Sequence, residues 1–366
     1  MTTAEAYLAL NLLPNVGPVR VKKLMEVFGS PEAILQAKAS KIQQVEGFGR
    51  ELSETISTWE ERVDLQRELR RVKEMELTLL TRDNPNYPPL LRETHAPPLV
   101  LYVWGEVIPR DFNAIGVVGS RQATHYGLQC AKKMSFQIAF AGFTVISGLA
   151  RGIDTAAHEG ALASKGRTIA VIGSGLGQLY PPENQALAER IAKQGAVVSQ
   201  FPVDYPPDKQ SFPLRNRVVA GWSTGILVVE APARSGSLIT AQQATDMGRT
   251  IYAVPGSIDR PTSAGCNRLI QQGAKLVMDG GEIIDDLLVL FPTAPKMPSL
   301  PDMPAPVALS ADEQTVFDSL GSETRHVDEV TTQCGLPSHV VATTLMRLEM
   351  KRLVRPLPGL RYVRMV

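Results

Sequence analysis

Residues 114 to 121 read Ala-Ile-Gly-Val-Val-Gly-Ser-Arg, a short apolar run that ends in a glycine, a hydroxyl group and a cation. The apolar part predicts a buried strand over Ala114–Val118. Gly119 permits a tight turn, and a helix that begins after it offers free N–H groups and its positive dipole end to an anion. Arg121 adds a permanently charged donor. The stretch fits a phosphate-binding turn, and it fits equally a surface arginine after a tight turn.

The same layout continues on both sides of this stretch, from about residue 78 to residue 290. Apolar runs predict further strands at Thr144–Ser147, Thr168–Ile172, Ala196–Ser199, Ile226–Val229 and Thr250–Val254. Helical patterns separate most of them, for example Tyr126–Phe140 and Asn184–Gln194. This alternation predicts an α/β fold, a Rossmann-like and mostly parallel doubly wound sheet with helices on both faces.

Two other regions flank the predicted sheet. Residues 1–77 have a helical pattern with glycine turns at Val16-Gly17-Pro18 and Gly47-Phe48-Gly49, typical of a helix-hairpin-helix (SAM-like) domain. Such turns can present N–H groups to a DNA phosphate, and they also occur as a simple helix-packing device. Residues 310–366 predict three helices and a hairpin, a winged helix that could contact duplex DNA or only protein. Residues 291–309 connect the predicted sheet to the winged helix. They predict a semi-rigid linker because they contain six prolines, at positions 292, 295, 298, 301, 304 and 306.

Bulk properties are those of an ordinary globular protein. The chain has 366 residues, of which 44% are hydrophobic and 20% charged. It shows neither a signal peptide nor a transmembrane run, and its three cysteines lie far apart without metal-type spacing, so we expect a cytoplasmic protein with no metal site and no bound cofactor. The net charge is only +1, so any nucleic-acid site must concentrate its cations in one place.

Two more glycine-containing turns follow predicted strands. The run Gly148-Leu149-Ala150-Arg151-Gly152 precedes a helix, and we expect Asp154 to be the N-cap of that helix and His158 to pack within the helix or lie at the surface. The second turn has the spacing G-x-G-x-G at Gly173, Gly175 and Gly177. It departs from the dinucleotide fingerprint, and no acidic residue ends the next strand to hold a ribose, which argues against NAD.

The most informative segment is Lys209-Gln210-Ser211-Phe212-Pro213-Leu214-Arg215-Asn216-Arg217. Its cations can pair with phosphates and its phenylalanine can stack on a base, a combination that suits a flexible single strand better than a duplex. A solvated basic loop is the alternative. Further along, Glu230 precedes a hydroxyl-rich stretch with Ser235 and Ser237. Glu230 could orient the arginines or act as a catalytic carboxylate, although no second carboxylate accompanies it.

Taken together, these segments resemble the DNA-processing protein A (DprA/Smf) family over about residues 80–290. The matching text is Gly119-Ser120-Arg121, Ser147-Gly148-Leu149-Ala150-Arg151-Gly152-Ile153-Asp154, Gly173-x-Gly175-Leu176 with Tyr180-Pro181, Phe212-Pro213-Leu214-Arg215-Asn216-Arg217, Glu230-Ala231 with Ser235-Gly236-Ser237, and Val254-Pro255-Gly256. The resemblance implies a non-catalytic, dimeric protein that binds single-stranded DNA, protects it and loads the RecA recombinase onto it during natural transformation.

Carried over residue by residue, the resemblance assigns two sets of positions. The DNA site would use Gly119, Ser120, Arg121, Gly148, Arg151, Lys209, Phe212, Arg215, Asn216, Arg217, Ser235 and Ser237. The dimer and RecA surface would lie around Asn267, Ile270 and Leu276. One departure is Pro182, where some relatives carry a lysine after Tyr-Pro, so one phosphate contact is in doubt.

Two other functions remain open from the sequence. The first is a nucleotide or nucleoside-phosphate hydrolase on the same scaffold, with Glu230 as the acid/base. Such hydrolases show a Pro-Gly-Gly-x-Gly-Thr run near the glutamate, where this chain has Pro255-Gly256-Ser257. The second is a winged-helix transcription factor, which would require a preference for duplex DNA.

Overall fold

A computed structural model of the chain describes residues 1–290, 309–320, 324–351 and 353–364. They belong to two compact units, Met1–Pro298 and Ser299–Val366. Residues 291–308 of the predicted proline-rich linker lie outside the described residues, and the domain division at residues 77 and 78 stays a prediction.

The first unit begins with a helical region that packs against one face of a sheet. Its helices are α1 (Thr3–Leu12), α2 (Pro18–Phe28), α3 (Pro31–Leu35), α4 (Ala39–Ile42), α5 (Arg50–Ser57), α6 (Trp59–Arg62) and α7 (Leu65–Glu74). Local sequence sets several of these starts: Thr2 and Glu5 form a capping box on α1, and Asp64 caps α7. The buried side chains of Tyr7, Leu8 and Leu10 share one hydrophobic cluster with strand residues such as Val100, Tyr102 and Val197.

The rest of the first unit is built on a nine-stranded sheet. The strands are β1 (Thr78–Thr81), β2 (Val100–Gly105), β3 (Ala114–Val118), β4 (Thr144–Ser147), β5 (Thr168–Val171), β6 (Ala196–Ser199), β7 (Gly225–Val228), β8 (Thr250–Ala253) and β9 (Lys275–Leu276). Their order is β1-β2-β6-β5-β4-β3-β7-β8-β9. Strands β3 to β9 pair in parallel, whereas β2 is antiparallel to both β1 and β6. The chain therefore reverses its direction of sheet growth between β3 and β7, which is where open α/β sheets bind ligands.

Helices cover both faces of this sheet, as the alternation of the sequence predicts. They are α8 (Pro89–Arg92), α9 (His125–Phe140), α10 (Ile153–Ala163), α11 (Gln185–Gln194), α12 (Ser211–Trp222), α13 (Gly236–Asp246), α14 (Ala264–Gln271) and α15 (Gly280–Leu290). On one face α9, α10 and α15 bury residues such as Met134, Ala157 and Leu287 with Ile115 and Val145. On the other, α12 and α13 bury Val218 and Ala241 against Val118, Ile146 and Ile226.

The second unit contains three helices and a small sheet. The helices are α16 (Ala311–Leu320), α17 (Val327–Cys334) and α18 (Ser338–Met350), and the strands β10 (Arg325–His326), β11 (Val354–Leu357) and β12 (Arg361–Arg364) pair in the order β10-β12-β11. Gly335 ends α17 in the left-handed conformation with φ 66°. The hydrophobic core of the second unit contains Val316, Leu345 and Leu348. The predicted winged helix is thereby confirmed, while its turn at Gly321 lies outside the described residues.

Within the described part of the chain, no helix is both long enough and apolar enough to cross a membrane.

Candidate functional site

A groove of about 690 Å³ lies at the carboxyl ends of β3 and β4, between the first turns of α12 and α13. We call it the strand-end groove. Eleven of the twelve predicted DNA-site residues line it, namely Gly119, Ser120, Arg121, Gly148, Arg151, Lys209, Phe212, Arg215, Asn216, Ser235 and Ser237. Four separate segments of sequence therefore meet at one place, because parallel strands bring their carboxyl ends to the same edge of the sheet.

The floor of the groove is a buried ion pair. Arg215 is only 4% exposed; its Nη1 donates to the carbonyl of Val171 over 2.9 Å and lies 4.0 Å from Oδ2 of Asp154. The same Oδ2 accepts from the backbone N–H groups of Gly148 at 3.1 Å and Ala150 at 3.3 Å. Arg215 therefore supports the floor and is not an exposed phosphate ligand.

Asp154 is not the N-cap of α10, so that prediction was wrong. Gly152 occupies the cap position, without a side-chain cap bond, and Asp154 lies inside the first turn. Its carboxylate instead ties the preceding loop to Arg215. Burial raises the pKa of Asp154, and Arg215 and the backbone N–H of Ala150 oppose that rise.

Gly148 is required by this close packing. A Cβ atom added there would lie 1.5 Å from Nη1 of Arg215, which no rearrangement of a buried guanidinium can relieve cheaply. The loop after β4 thus carries glycine because the floor passes directly beneath it.

An aromatic ring forms one wall of the groove. Phe212 is half-buried, and the guanidinium of Arg121 lies over its ring at 5.0 Å from the centroid. The ring of Tyr180 is 6.2 Å away at an interplanar angle of 55°. On its inner side Phe212 lies so close to Gly173 that a Cβ atom there would be 2.8 Å from the ring. Glycine at position 173 therefore leaves the space that the ring occupies.

The rim of the groove carries cations that are available to a ligand. Arg121, Lys209 and Arg234 are exposed, and none of them forms a hydrogen bond or ion pair with another residue that the structure describes. Arg151 is paired with Glu183. Sequence reasoning did not assign Arg234 to the site, although its position directly before Ser235 at the start of α13 was a usable signal.

Hydroxyl groups at the start of α13 also line the groove. Ser235 is the N-cap of α13, and its Oγ accepts from the backbone N–H of Ser237 and lies 2.7 Å from the hydroxyl of Ser237. Thr240 and Gln122 also line this groove, and neither was predicted. The wall therefore combines a helix N-terminus with hydroxyl groups, both of which suit an anion.

Two titratable residues that the sequence singled out are used elsewhere. Glu230 is 4% exposed, and its Oε2 accepts from the backbone N–H and the hydroxyl of Thr124 at the start of α9, so it does not orient the groove's arginines. His158 is completely buried in α10, with its Nδ1 2.7 Å from the hydroxyl of Thr168. That hydroxyl donates to Val145, so Nδ1 is the donor to Thr168. Burial, aided by Arg215, lowers the pKa of His158 to about 3.

Arg217 is the one predicted DNA-site residue that does not line the strand-end groove. It lies two residues after Arg215 on α12, which places it on the other side of the helix at 3.6 residues per turn. There it lines a second groove with Leu214 and Val218.

The predicted partner surface lies at the β9 edge of the sheet. Leu276 is 43% exposed in that edge strand, and Ile270 is half-buried at the end of α14. The amide of Asn267 is engaged within the chain, where it bonds both the N–H and the carbonyl of Gly256 at 3.2 and 2.9 Å.

Fold and groove together define a class: a Rossmann-like α/β protein with a cationic, aromatic groove at its strand ends, a helical N-terminal region and a winged helix. Family models match each of these three regions. The DNA recombination-mediator protein A model matches residues 78–288, the DprA winged helix domain matches 300–359, and a SAM-like helix-hairpin-helix tandem matches 8–57. The chain belongs to the DNA-processing protein A (DprA/Smf) family, as its motifs predict.

Curated relatives and solved structures agree with this membership. The chain is 33% identical to Protein Smf of Synechocystis sp. over 98% of both chains, and 40% identical to Protein Smf of Escherichia coli over 78% of this chain and 77% of that protein. The X-ray structure of DNA processing protein A from Streptococcus pneumoniae has a TM-score of 0.69 at 33% identity and covers 78% of this chain and 98% of its own. A Helicobacter pylori family member, described for its unique single-stranded DNA binding mode, has a TM-score of 0.53 at 28% identity, over 59% of this chain and 98% of its own.

Proposed function

We propose that this chain binds single-stranded DNA in the strand-end groove, protects it, and delivers it to a RecA recombinase during natural transformation. The observation that carries the proposal is the meeting of exposed cations with an aromatic ring in one groove. Arg121, Lys209 and Arg234, whose side chains have no ion partner among the described residues, lie in the same groove as Phe212. The cations can pair with the phosphates of a strand, and an unpaired base can stack on the ring. The Helicobacter pylori relative described for single-stranded DNA binding supports the same ligand.

In the proposed complex, the rim and the wall have different tasks. Arg121 and Lys209 take phosphates, while the hydroxyls of Ser235 and Ser237 and the N–H groups of α13 offer further donors. Because the guanidinium of Arg121 covers Phe212 in the free protein, a base reaches the ring only when Arg121 swings toward a phosphate. Binding thus exchanges a cation–ring contact for a base–ring contact and an ion pair. Phosphate contacts and base stacking tolerate every base, so we expect little sequence preference.

We propose that the β9 edge forms the homodimer contact and lies next to the RecA surface. Exposed Leu276 and half-buried Ile270 offer apolar area there, and an edge strand has unpaired backbone groups that a second copy can pair with. A dimer would place two grooves along one strand and raise the effective concentration for the second contact. The homodimer and the RecA partner follow from the family resemblance, and the cytoplasmic location follows from the sequence; all three are part of this proposal.

The hydrolase alternative requires an available acid/base in the groove. Glu230 is held by Thr124 and is not among the groove's lining residues, and Asp154 is paired with Arg215, which favours binding over catalysis. Incubation with nucleoside monophosphates, followed by chromatography for released base, tests the alternative directly. Released base above a buffer control would support a hydrolase.

The test of the proposed function is anisotropy with a labelled oligo-dT and the Arg121→Ala variant. Removal of a cation that contacts phosphate should weaken binding about tenfold or more. Arg190→Ala is the matched control because Arg190 is also exposed but lies on α11, outside the groove. Equal affinities of the two variants for the oligonucleotide would contradict the assignment.

A further inference from the structure

A second groove of about 760 Å³ lies between the helical N-terminal region and α12. We call it the turn-side groove. Its walls are the turn that connects α1 to α2, part of the loop between α8 and β2, and the side of α12 that carries Leu214, Arg217 and Val218. Gln200, Phe201, Pro202 and Tyr205 complete the lining. Nothing in the proposed function yet uses it.

The charged side chains that line the turn-side groove are all positive. Two arginines, Arg20 and Arg217, line it, and the described lining residues include no carboxylate. The side chain of Arg217 forms no hydrogen bond or ion pair with any residue in the described ranges. Arg20 is exposed and gives one N–H to the carbonyl of Asn15, which leaves its other donors to solvent. The groove is therefore complementary to an anion.

The same groove also offers a surface for an unpaired base. Tyr205 is half-buried and stacks on Phe201 with 4.8 Å between ring centroids and an interplanar angle of 16°. Leu13 and Leu214 add apolar area beside this pair. Cations beside aromatic faces are the combination that single-stranded nucleic acid uses in sequence-tolerant sites.

Helix α12 connects this groove to the strand-end groove. Phe212, Arg215 and Asn216 face the strand-end groove, whereas Leu214, Arg217 and Val218 face the turn-side groove. An α-helix with its side chains is about 10 Å across, so a few nucleotides of extended strand can pass from one side to the other.

We propose that a single strand held in the strand-end groove continues across α12 into the turn-side groove, where Arg217 and Arg20 contact its phosphates and Tyr205 borders its bases. The proposal rests on the proposed function and extends its footprint. It also gives the N-terminal helix-hairpin-helix-type turn a role, as one wall of a path for the strand.

Oligonucleotide length separates the two grooves experimentally. The full chain is titrated with labelled oligo-dT of two lengths, one too short to leave the strand-end groove, on the order of six nucleotides, and one of about twenty. Arg217→Ala should bind the short strand like wild type and the long strand about five- to tenfold more weakly, with a salt slope smaller by about 0.7. Arg20→Gln, on a different element, should show the same length dependence. Arg190→Ala again controls for the loss of an exposed charge, and thermal melts check that each variant is folded.

The outcomes of this test differ for the two proposals. If Arg121→Ala weakens both lengths while Arg217→Ala and Arg20→Gln bind the long strand like Arg190→Ala, the turn-side path is wrong and the strand-end site stands. If Arg217→Ala weakens both lengths equally, Arg217 belongs to the first site and the separate path is also wrong. If Arg121→Ala weakens neither length, or wild type binds neither, the proposed function itself fails and the path fails with it.

Discussion

Two arginines of the strand-end groove, Arg215 in the floor and Arg121 on the rim, differ in their burial and in their partners. Arg215 is 4% exposed and is held by Asp154 and the carbonyl of Val171. Arg121 is exposed, lies over the ring of Phe212 and has no ion pair with a described residue. A buried guanidinium with a fixed partner builds the site, because its charge is already compensated. An exposed guanidinium without an ion partner can bind a ligand. Charge in a sequence does not distinguish these tasks; burial does.

The difference implies that floor variants act on stability and rim variants act on binding and its salt dependence.

Asp154→Ala removes the partner of a buried cation. It should lower the free energy of unfolding by about 3–5 kcal/mol, because Arg215 is then left uncompensated and two N–H groups of the loop lose their acceptor. Urea denaturation followed by tryptophan fluorescence measures this, since Trp222 is buried in the same unit. The control is Asp285→Ala, an exposed aspartate on α15, with an expected change within about 0.5 kcal/mol. Similar losses for both variants would argue against a structural floor.

Acidification should destabilise the fold through His158. Its pKa is lowered to about 3 in the folded state from about 6.5 in the unfolded chain, so its contribution is fully present above about pH 6.5 and is lost as the pH falls toward 3. Between pH 7 and pH 5 this group alone should cost about 2 kcal/mol. Urea midpoints at both pH values are compared for wild type, His158→Gln and the exposed control His339→Gln. Parallel losses in wild type and His158→Gln would exclude His158 as the source.

Lys209→Ala should have the smallest effect, confined to binding. Lys209 is an exposed residue on the rim, so its loss should weaken single-strand binding only a few-fold. The magnitude of the slope of log affinity against log salt should fall by about 0.7. Titrations at several salt concentrations measure the slope, with Lys193→Ala on α11 as the control. An unchanged slope for Lys209→Ala would remove Lys209 from the phosphate contacts.

Most of the parallel sheet could be predicted from sequence because each buried strand is a short apolar run between turn residues. Strands β3, β4 and β6 have the predicted bounds, and β5, β7 and β8 differ by one residue at one or both ends. The antiparallel strands β1 and β2 and the two-residue strand β9 were not among the predicted strands. Strand order is set by the packing of the whole domain, so local sequence patterns do not predict it.

The location of the site was also predictable, but the roles of its residues were not. Parallel strand ends must meet, so Gly119, Gly148 and Phe212 come together from distant segments. Side-chain roles depend on three-dimensional contacts: Asp154 bonds a loop where a cap was expected, and Glu230 caps α9 through Thr124. Arg217 follows Arg215 by two residues and therefore faces another groove, a consequence of helical periodicity that a nine-residue motif conceals.

Stacking of an unpaired base at Phe212 in the strand-end groove can be followed by the fluorescence of the Phe212→Trp variant. Oligo-dT is titrated into this variant and into Phe136→Trp, whose site on α9 lies outside both grooves, while anisotropy of labelled DNA reports binding independently. We expect quenching of the added indole that follows the binding curve in Phe212→Trp and is absent in Phe136→Trp. Saturated binding without any quenching at position 212 would contradict the account.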